Sequence, residues 1–190
     1  MVLYQLYSVL GKRVGRQPED MAKVDVGAPN SEVALPPLPT VEADAGLTGL
    51  AALRARDTSF DVGRFLQGAK AAYEMIVTAF AKGEREVLKR LLSEDVLAGF
   101  ENAITTRETE GRTETIEFLQ TPRADLEKVD VAADRARVSV RFLAELRTRS
   151  KGPEGEAVDD QRTAELWTFE RNLKSRDPNW TLVHVDAAEA

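Results

Sequence analysis

The side chains able to carry chemistry are few and scattered. The one histidine, His184, stands between Val183 and Val185 in an alternating segment, so its ring points away from both. A base or ligand role needs an orienting partner, and Asp186 shares its face. Neighbouring carboxylates are common on strands, so a surface pair is the plainer reading. Glu165 and Arg171 fall on the Trp167 face and suit a paired network at a cavity mouth, with solvated strand ends as the alternative. Tyr73 could donate a proton from an apolar helical stripe, but no carboxylate clearly shares its buried face. The expectation is therefore a protein that is not an enzyme. Arg137, Arg141 and Arg147 share one face of another strand. They suit acidic lipid headgroups or an acidic partner, or are simply the wet side of a sheet.

Composition removes much else. The 190 residues contain no cysteine, which excludes disulfides, thiolate metal sites and a cysteine nucleophile. A single histidine excludes a multi-histidine metal centre. A net charge of -6 argues against nucleic acid as a partner. No glycine-rich phosphate loop, nucleophile elbow or carboxylate-rich metal spacing occurs, so no cofactor is expected. At 43% apolar and 31% charged, the profile is that of a globular domain.

Charge is unevenly placed. Residues 1–17 hold Lys12, Arg13 and Arg16 and no acid, while residues 18–60 hold seven acids against three bases. The head, Met1 to Leu10, is nearly all apolar, with Leu3, Leu6 and Leu10 as its leucines. As a helix it would cover about 15 Å, half a hydrocarbon core. Tyr4 and Tyr7 suit a membrane interface, and the basic run comes directly after. The positive charge lies behind the apolar part, unlike a secretory signal. Residues 1–17 thus read as a membrane-anchor stub with a basic flank, or as a short helix packing on the body. If it spans, the flank favours the cytoplasmic side for the rest of the chain. Residues 18–56 hold five of the eight prolines and read as a disordered, acidic linker.

The body, residues 57–190, starts helical. Val62, Phe65, Leu66, Ala69, Tyr73, Ile76 and Phe80 recur at three- and four-residue steps, with Ser59 or Asp57 as cap and Gly83 as the stop. A short helix over 84–92 comes next, then another from Ser93 carrying Val96, Phe100, Ala103 and Ile104. The period then becomes two. Strands are predicted at 125–133, 135–149, 162–174 and 180–186, with 113–119 as a further extended segment and 151–155 as a flexible loop. Helices first and antiparallel strands afterwards is the α+β pattern. Two amphipathic helices must cover the apolar face of a curved sheet of about four strands. Such a half-open cone commonly leaves an apolar cavity. Tyr73, Ile76, Phe80, Phe100, Ile104, Phe142, Trp167 and Phe169 are the candidates to line it, with plain core as the alternative.

The blocks Phe60–Val77 with Ala79-Phe80-Ala81-Lys82-Gly83, Leu91–Val96, Val138–Phe142, Leu166–Arg171 and Asp177-Pro178-Asn179-Trp180 occur in that order. Together they resemble the bacterial branch of the Tim44-like family. The apolar head, basic run and proline-rich linker look like the alphaproteobacterial form, which normally carries a full membrane anchor where this chain has half of one. The resemblance implies a cone-shaped fold like that of nuclear transport factor two. It also implies a non-catalytic, membrane-associated adaptor related to the scaffold of the mitochondrial import motor. Its expected partners are inner-membrane lipids, bound through Leu3, Leu6, Leu10, Lys12, Arg13 and Arg16, and a protein not named by the sequence. Its expected place is the bacterial inner membrane, peripheral or singly anchored, on the cytoplasmic side. A lipid-binding module using the cavity is the alternative.

Overall fold

The computed structural model describes residues 41–188, with side chains from Thr48 onward. The head, residues 18–40 of the expected linker, and residues 189–190 lie outside the described residues. Four helices precede five strands: α1 (Val41–Arg56), α2 (Val62–Lys82), α3 (Arg85–Leu91) and α4 (Glu94–Thr109), then β1 (Thr113–Phe118), β2 (Arg123–Ala132), β3 (Arg135–Gly152), β4 (Gly155–Asn172) and β5 (Thr181–Ala187).

Helix α1 lies inside the stretch expected to be linker. Leu53 is buried and Leu50 half-buried against the core, and the helix packs on β2. Gly49 permits the approach, because a Cβ there would overlap the Val129 carbonyl. The domain therefore begins before residue 57. Leu53→Ala is expected to cost about 2 kcal/mol by leaving a cavity between α1 and β2. A denaturant midpoint unchanged by it would mean that α1 adds nothing to the fold.

The local signals of the other helices act largely as their residues suggest. Asp61, rather than Ser59 or Asp57, caps α2, accepting from the Arg64 amide at 2.7 Å. Asp57 is turned toward the Ser59 amide and Arg171 instead. Gly83 ends α2 with φ 74°, where Cβ-bearing residues are strained, and the Gly83 and Glu84 amides donate back to Phe80 and Ala79. Ser93 caps α4 through the Val96 amide, and its own amide donates to the Leu182 carbonyl of β5 at 2.9 Å.

All five strands form one antiparallel sheet. β3 pairs with β4 along its whole length, and β1 and β2 divide its other edge, β1 opposite Leu146–Lys151 and β2 opposite Arg135–Leu143. The sheet thus has five strands rather than four, because 113–118 is a full member whose inward residues, Glu114, Ile116 and Phe118, are just half-buried. The expected flexible loop is a two-residue turn, Pro153-Glu154, between paired Gly152 and Gly155. β5 pairs with β4 from Glu165 to Glu170, so among the described residues β4 has β3 as its one neighbouring strand from Gly155 to Asp160. A bulge at Val183 shifts the register of β5 and turns both Leu182 and Val185 inward.

The core lies between α2, α4 and the covered sheet face. Alternation along β3 buries Ala136, Val138, Val140, Phe142, Ala144 and Leu146. On the opposite face the arginines meet carboxylates of neighbouring strands, Arg137 with Glu170 at 2.7 Å, Arg141 with Glu127 at 3.3 Å and Arg147 with Asp160 at 2.7 Å. That ladder is a solvated face with its charges already answered.

Candidate functional site

A groove of about 450 Å³ opens at the N-terminal end of α2. The helical period places Phe65, Ala69, Ala72 and Met75 along one wall. The opposite wall is Phe169 of β4 with the Pro178-Asn179-Trp180 turn, and Phe60 and Leu91 also line it. The aromatic rings support one another edge to face, Phe65 to Trp180 at 4.9 Å and Phe65 to Phe169 at 6.1 Å between centroids. Small residues on α2 leave the space that these rings do not fill. Met75 is 50% exposed, an apolar side chain left in water beside an apolar hollow.

One rim is charged. Arg171 Nη1 donates to Asp57 Oδ2 at 2.9 Å, tying the segment after α1 to the end of β4. The Ser59 hydroxyl, and then the Arg171 guanidinium, hold the Asp57 carboxyl below its ordinary value against a partial burial that pushes it up. Arg64 stands exposed on the same rim.

The expected Glu165–Arg171 network is not formed. Both residues share the inward face of β4, but Arg171 pairs with Asp57 at the groove and Glu165 lies deeper, under the middle of α2. There Tyr73 Oη donates to Glu165 Oε2 at 3.0 Å and lies 3.3 Å from Thr163 Oγ1. The carboxylate missing from the sequence reading of Tyr73 is therefore present, because period two sends Glu165 inward with Trp167 and Phe169. Glu165 is 4% exposed, and loss of water raises its pKa to about 7 despite the opposing hydrogen bond from Tyr73. The Trp167 indole N–H lies near enough to favour the anion but makes no hydrogen bond of ordinary geometry. Burial, and next the Glu165 charge, push the Tyr73 hydroxyl well above its usual value.

A carboxyl poised near neutrality beside a tyrosine has the groups for acid–base chemistry. General acid–base catalysis also needs a substrate within hydrogen-bond reach. Neither Tyr73 nor Glu165 lines the groove. Tyr73 stacks on Phe142 with centroids 4.5 Å apart and contacts Trp167 at 4.7 Å. Both side chains are buried among these rings, and their hydrogen bond joins the middle of α2 to β4.

The same packing decides the expected hollow. Tyr73, Ile76, Phe80, Phe100, Ile104, Phe142 and Trp167 fill the space among themselves, and of the eight candidates Phe169 alone lines the groove. The open cavity lies one end further along α2 than expected. Phe60, Met75 and Trp180 were missed as lining. Their signal is weak, since Met75 falls off the buried stripe of α2 and Trp180 stands after a turn. His184 Nε2 lies 2.6 Å from Asp186 Oδ2, with both side chains exposed, a surface pair. Leu3, Leu6, Leu10, Lys12, Arg13 and Arg16 lie outside the described residues.

Among the described residues no cluster of acids or histidine could hold a metal ion, and no helix is long and apolar enough to cross a membrane. No curated protein sequence matches the chain. Among solved structures, the intermembrane-space region of the chloroplast protein ARC6 is similar in fold, at TM-score 0.50 and 16% identity over 66% of this chain and 97% of that one. A conserved protein from Planctomyces limnophilus matches at TM-score 0.36 and 19% identity, over 63% of this chain and 94% of its own. The model of the Tim44-like domain matches residues 47–187, a span that takes in the second half of α1 and every strand. With helices first and a curved antiparallel sheet under them, the chain belongs to the Tim44-like family of membrane-associated, translocation-related scaffold proteins.

Proposed function

We propose that this protein is a non-catalytic adaptor at the bacterial inner membrane, in which the apolar, basic head binds lipid and the groove seats an apolar segment of a protein partner. The observation that carries the reading is the groove itself, an open hollow floored by small residues and walled by aromatic ones, apart from the buried acid–base pair. An aromatic-lined surface hollow is the kind of site that receives a partner's apolar anchor residues. The head supplies the second half of the function. Its three cations are each worth about 1 kcal/mol at an anionic bilayer surface, and its leucines add apolar burial.

Vesicle flotation tests the membrane part. Replacing Lys12, Arg13 and Arg16 by glutamine is expected to weaken binding to anionic vesicles about 100-fold and leave the fold intact. Binding unchanged by that triple replacement would assign membrane contact elsewhere. The apolar lining supports a second reading, an acyl chain in the groove. A lipid retained in native mass spectrometry of the purified chain would favour it over a protein segment.

A further inference from the structure

We propose that the groove also receives the chain's own head, so that Met1–Leu10 occupies it when no bilayer is at hand and leaves it for lipid. The inference rests on the reading of the head as a membrane-binding segment and adds an intramolecular competitor for it.

Three observations meet here. The first is the unfilled apolar hollow, with Met75 half-exposed beside it. The second is the tether. α1 ends at Arg56, and the next residue, Asp57, lines the groove. With 16 residues, α1 sets Val41 about 24 Å from that point. Residues 11–40 join the head to α1, and a random coil of 30 residues would have a root-mean-square span of about 30 Å. A tether matched to its distance gives an effective concentration in the millimolar range. A head that bound the groove with a dissociation constant of about 1 mM as a free peptide would thus be about half docked in the intact chain. The third is the head's pattern. In a helix, Leu3, Leu6 and Leu10 with Tyr7 share one face, the spacing by which apolar helices enter grooves. Directly behind the head, Lys12, Arg13 and Arg16 form a basic run, whereas residues 61–190 have an excess of acids, so long-range attraction acts in the same direction.

Bilayer and groove compete for the same leucines. In solution the groove covers the head, which keeps an apolar segment from sticking to other copies. At the membrane, lipid takes the head and the groove becomes free for a partner. Membrane arrival and partner binding are thereby coupled through one segment.

The absence of cysteine makes the test clean. In the full chain, Met75→Cys is combined in turn with Leu3→Cys, Leu6→Cys and Leu10→Cys. Controls carry Val158→Cys instead, an exposed position about 36 Å along β4 from Phe169. Under mild oxidation without vesicles, at least one Met75 pair is expected to form a disulfide within the monomer about 10-fold faster than its Val158 control. Anionic phosphatidylglycerol vesicles are expected to suppress that advantage. Equal rates for all pairs, or disulfides that link two chains, would overturn the proposal. So would an advantage that persists in vesicle-bound protein. Flotation of the parent chain is scored separately: its failure removes the membrane reading, while vesicle binding with no Met75 advantage removes the docked head and leaves that reading in place.

Discussion

Glu165→Gln is expected to raise stability at pH 8 by about 3 kcal/mol relative to the parent chain and to leave the two nearly equal at pH 4. In the folded protein the Glu165 carboxyl titrates at about 7, against an ordinary value of 4.5 when the chain is unfolded. Below pH 4.5 both states hold the proton and the group has no effect on the balance. Between 4.5 and about 7 the unfolded chain releases the proton while the folded one keeps it, so stability falls as pH rises. Above about 7 the loss is complete, and a gap of that size corresponds to about 3 kcal/mol. Tyr73 from α2 and Thr163 and Trp167 from β4 itself are the polar groups around the carboxyl. Phe142 of β3 and Ala187 of β5 are its register neighbours, so no cation answers it there. The amide of glutamine keeps an acceptor for Tyr73 and cannot ionise. Urea midpoints measured from pH 4 to pH 8 decide the matter. A parent chain whose stability is flat or rising through that window would show that Glu165 is held as an anion at no cost. Tyr73→Phe removes the donor that favours the anion and is expected to push the fall to higher pH.

The second large effect belongs to Arg107. Its Nη1 donates to Glu114 Oε2 at 2.8 Å, and its Nη2 donates to the Phe80 and Ala81 carbonyls at 2.7 and 3.0 Å. The guanidinium also sits 5.2 Å over the Phe80 ring. One side chain thus satisfies the last carbonyls of α2 and the carboxylate of β1 at once, at 6% exposure. Arg107→Ala strands the half-buried Glu114 carboxylate and the Ala81 carbonyl and leaves the Phe80 carbonyl with the Gly83 amide alone, which is expected to cost about 3 kcal/mol. Lysine places a point charge where a planar fork is needed, so Arg107→Lys is expected to recover a minor part. Removing Glu114 as well should restore more of the loss than independent sites would allow, the sign of a coupled pair. A loss under about 1 kcal/mol for Arg107→Ala would mean that water reaches the site.

These two residues also show where the sequence was legible. Helices α2 and α4 and strands β3 to β5 stood out because one face of each is continuously apolar, a signal set by burial. Glu165 and Arg107 obey the same periods. Arg107 comes after Phe100, Ala103 and Ile104 at helical spacing, and Glu165 precedes Trp167 and Phe169 at strand spacing. Both look solvated in the sequence because a charge in an apolar stripe ends the pattern on polarity alone. What keeps it inside is a partner distant in sequence, Glu114 or Tyr73, and spacing along one element does not reveal that. α1 was hidden for a related reason. Its neighbours are prolines, acids and alanines, and Leu50 and Leu53 gain their meaning from β2, which lies far along the chain. The groove was displaced for a different reason. Period identifies which side chains face inward but not where their volumes fall short of the space between layers. Here the shortfall lies at Gly68, Ala69, Ala71 and Ala72, and the large rings expected to surround a hollow fill it instead.

The distal half of β4 has one bare side. Among the described residues no strand faces its outer edge from Gly155 to Asp160, a template on which a second copy could add itself. A two-fold pairing centred on Val158 would bring Glu156 of one molecule against Asp160 of the other, at both ends of the junction, and like charges set opposite repel. The same carboxylates already balance Lys151 and Arg147 within the molecule, so each serves its own hairpin and turns a twin away. Two acids thus keep this edge from zipping into fibrils, and neutralising Glu156 and Asp160 together would remove that protection.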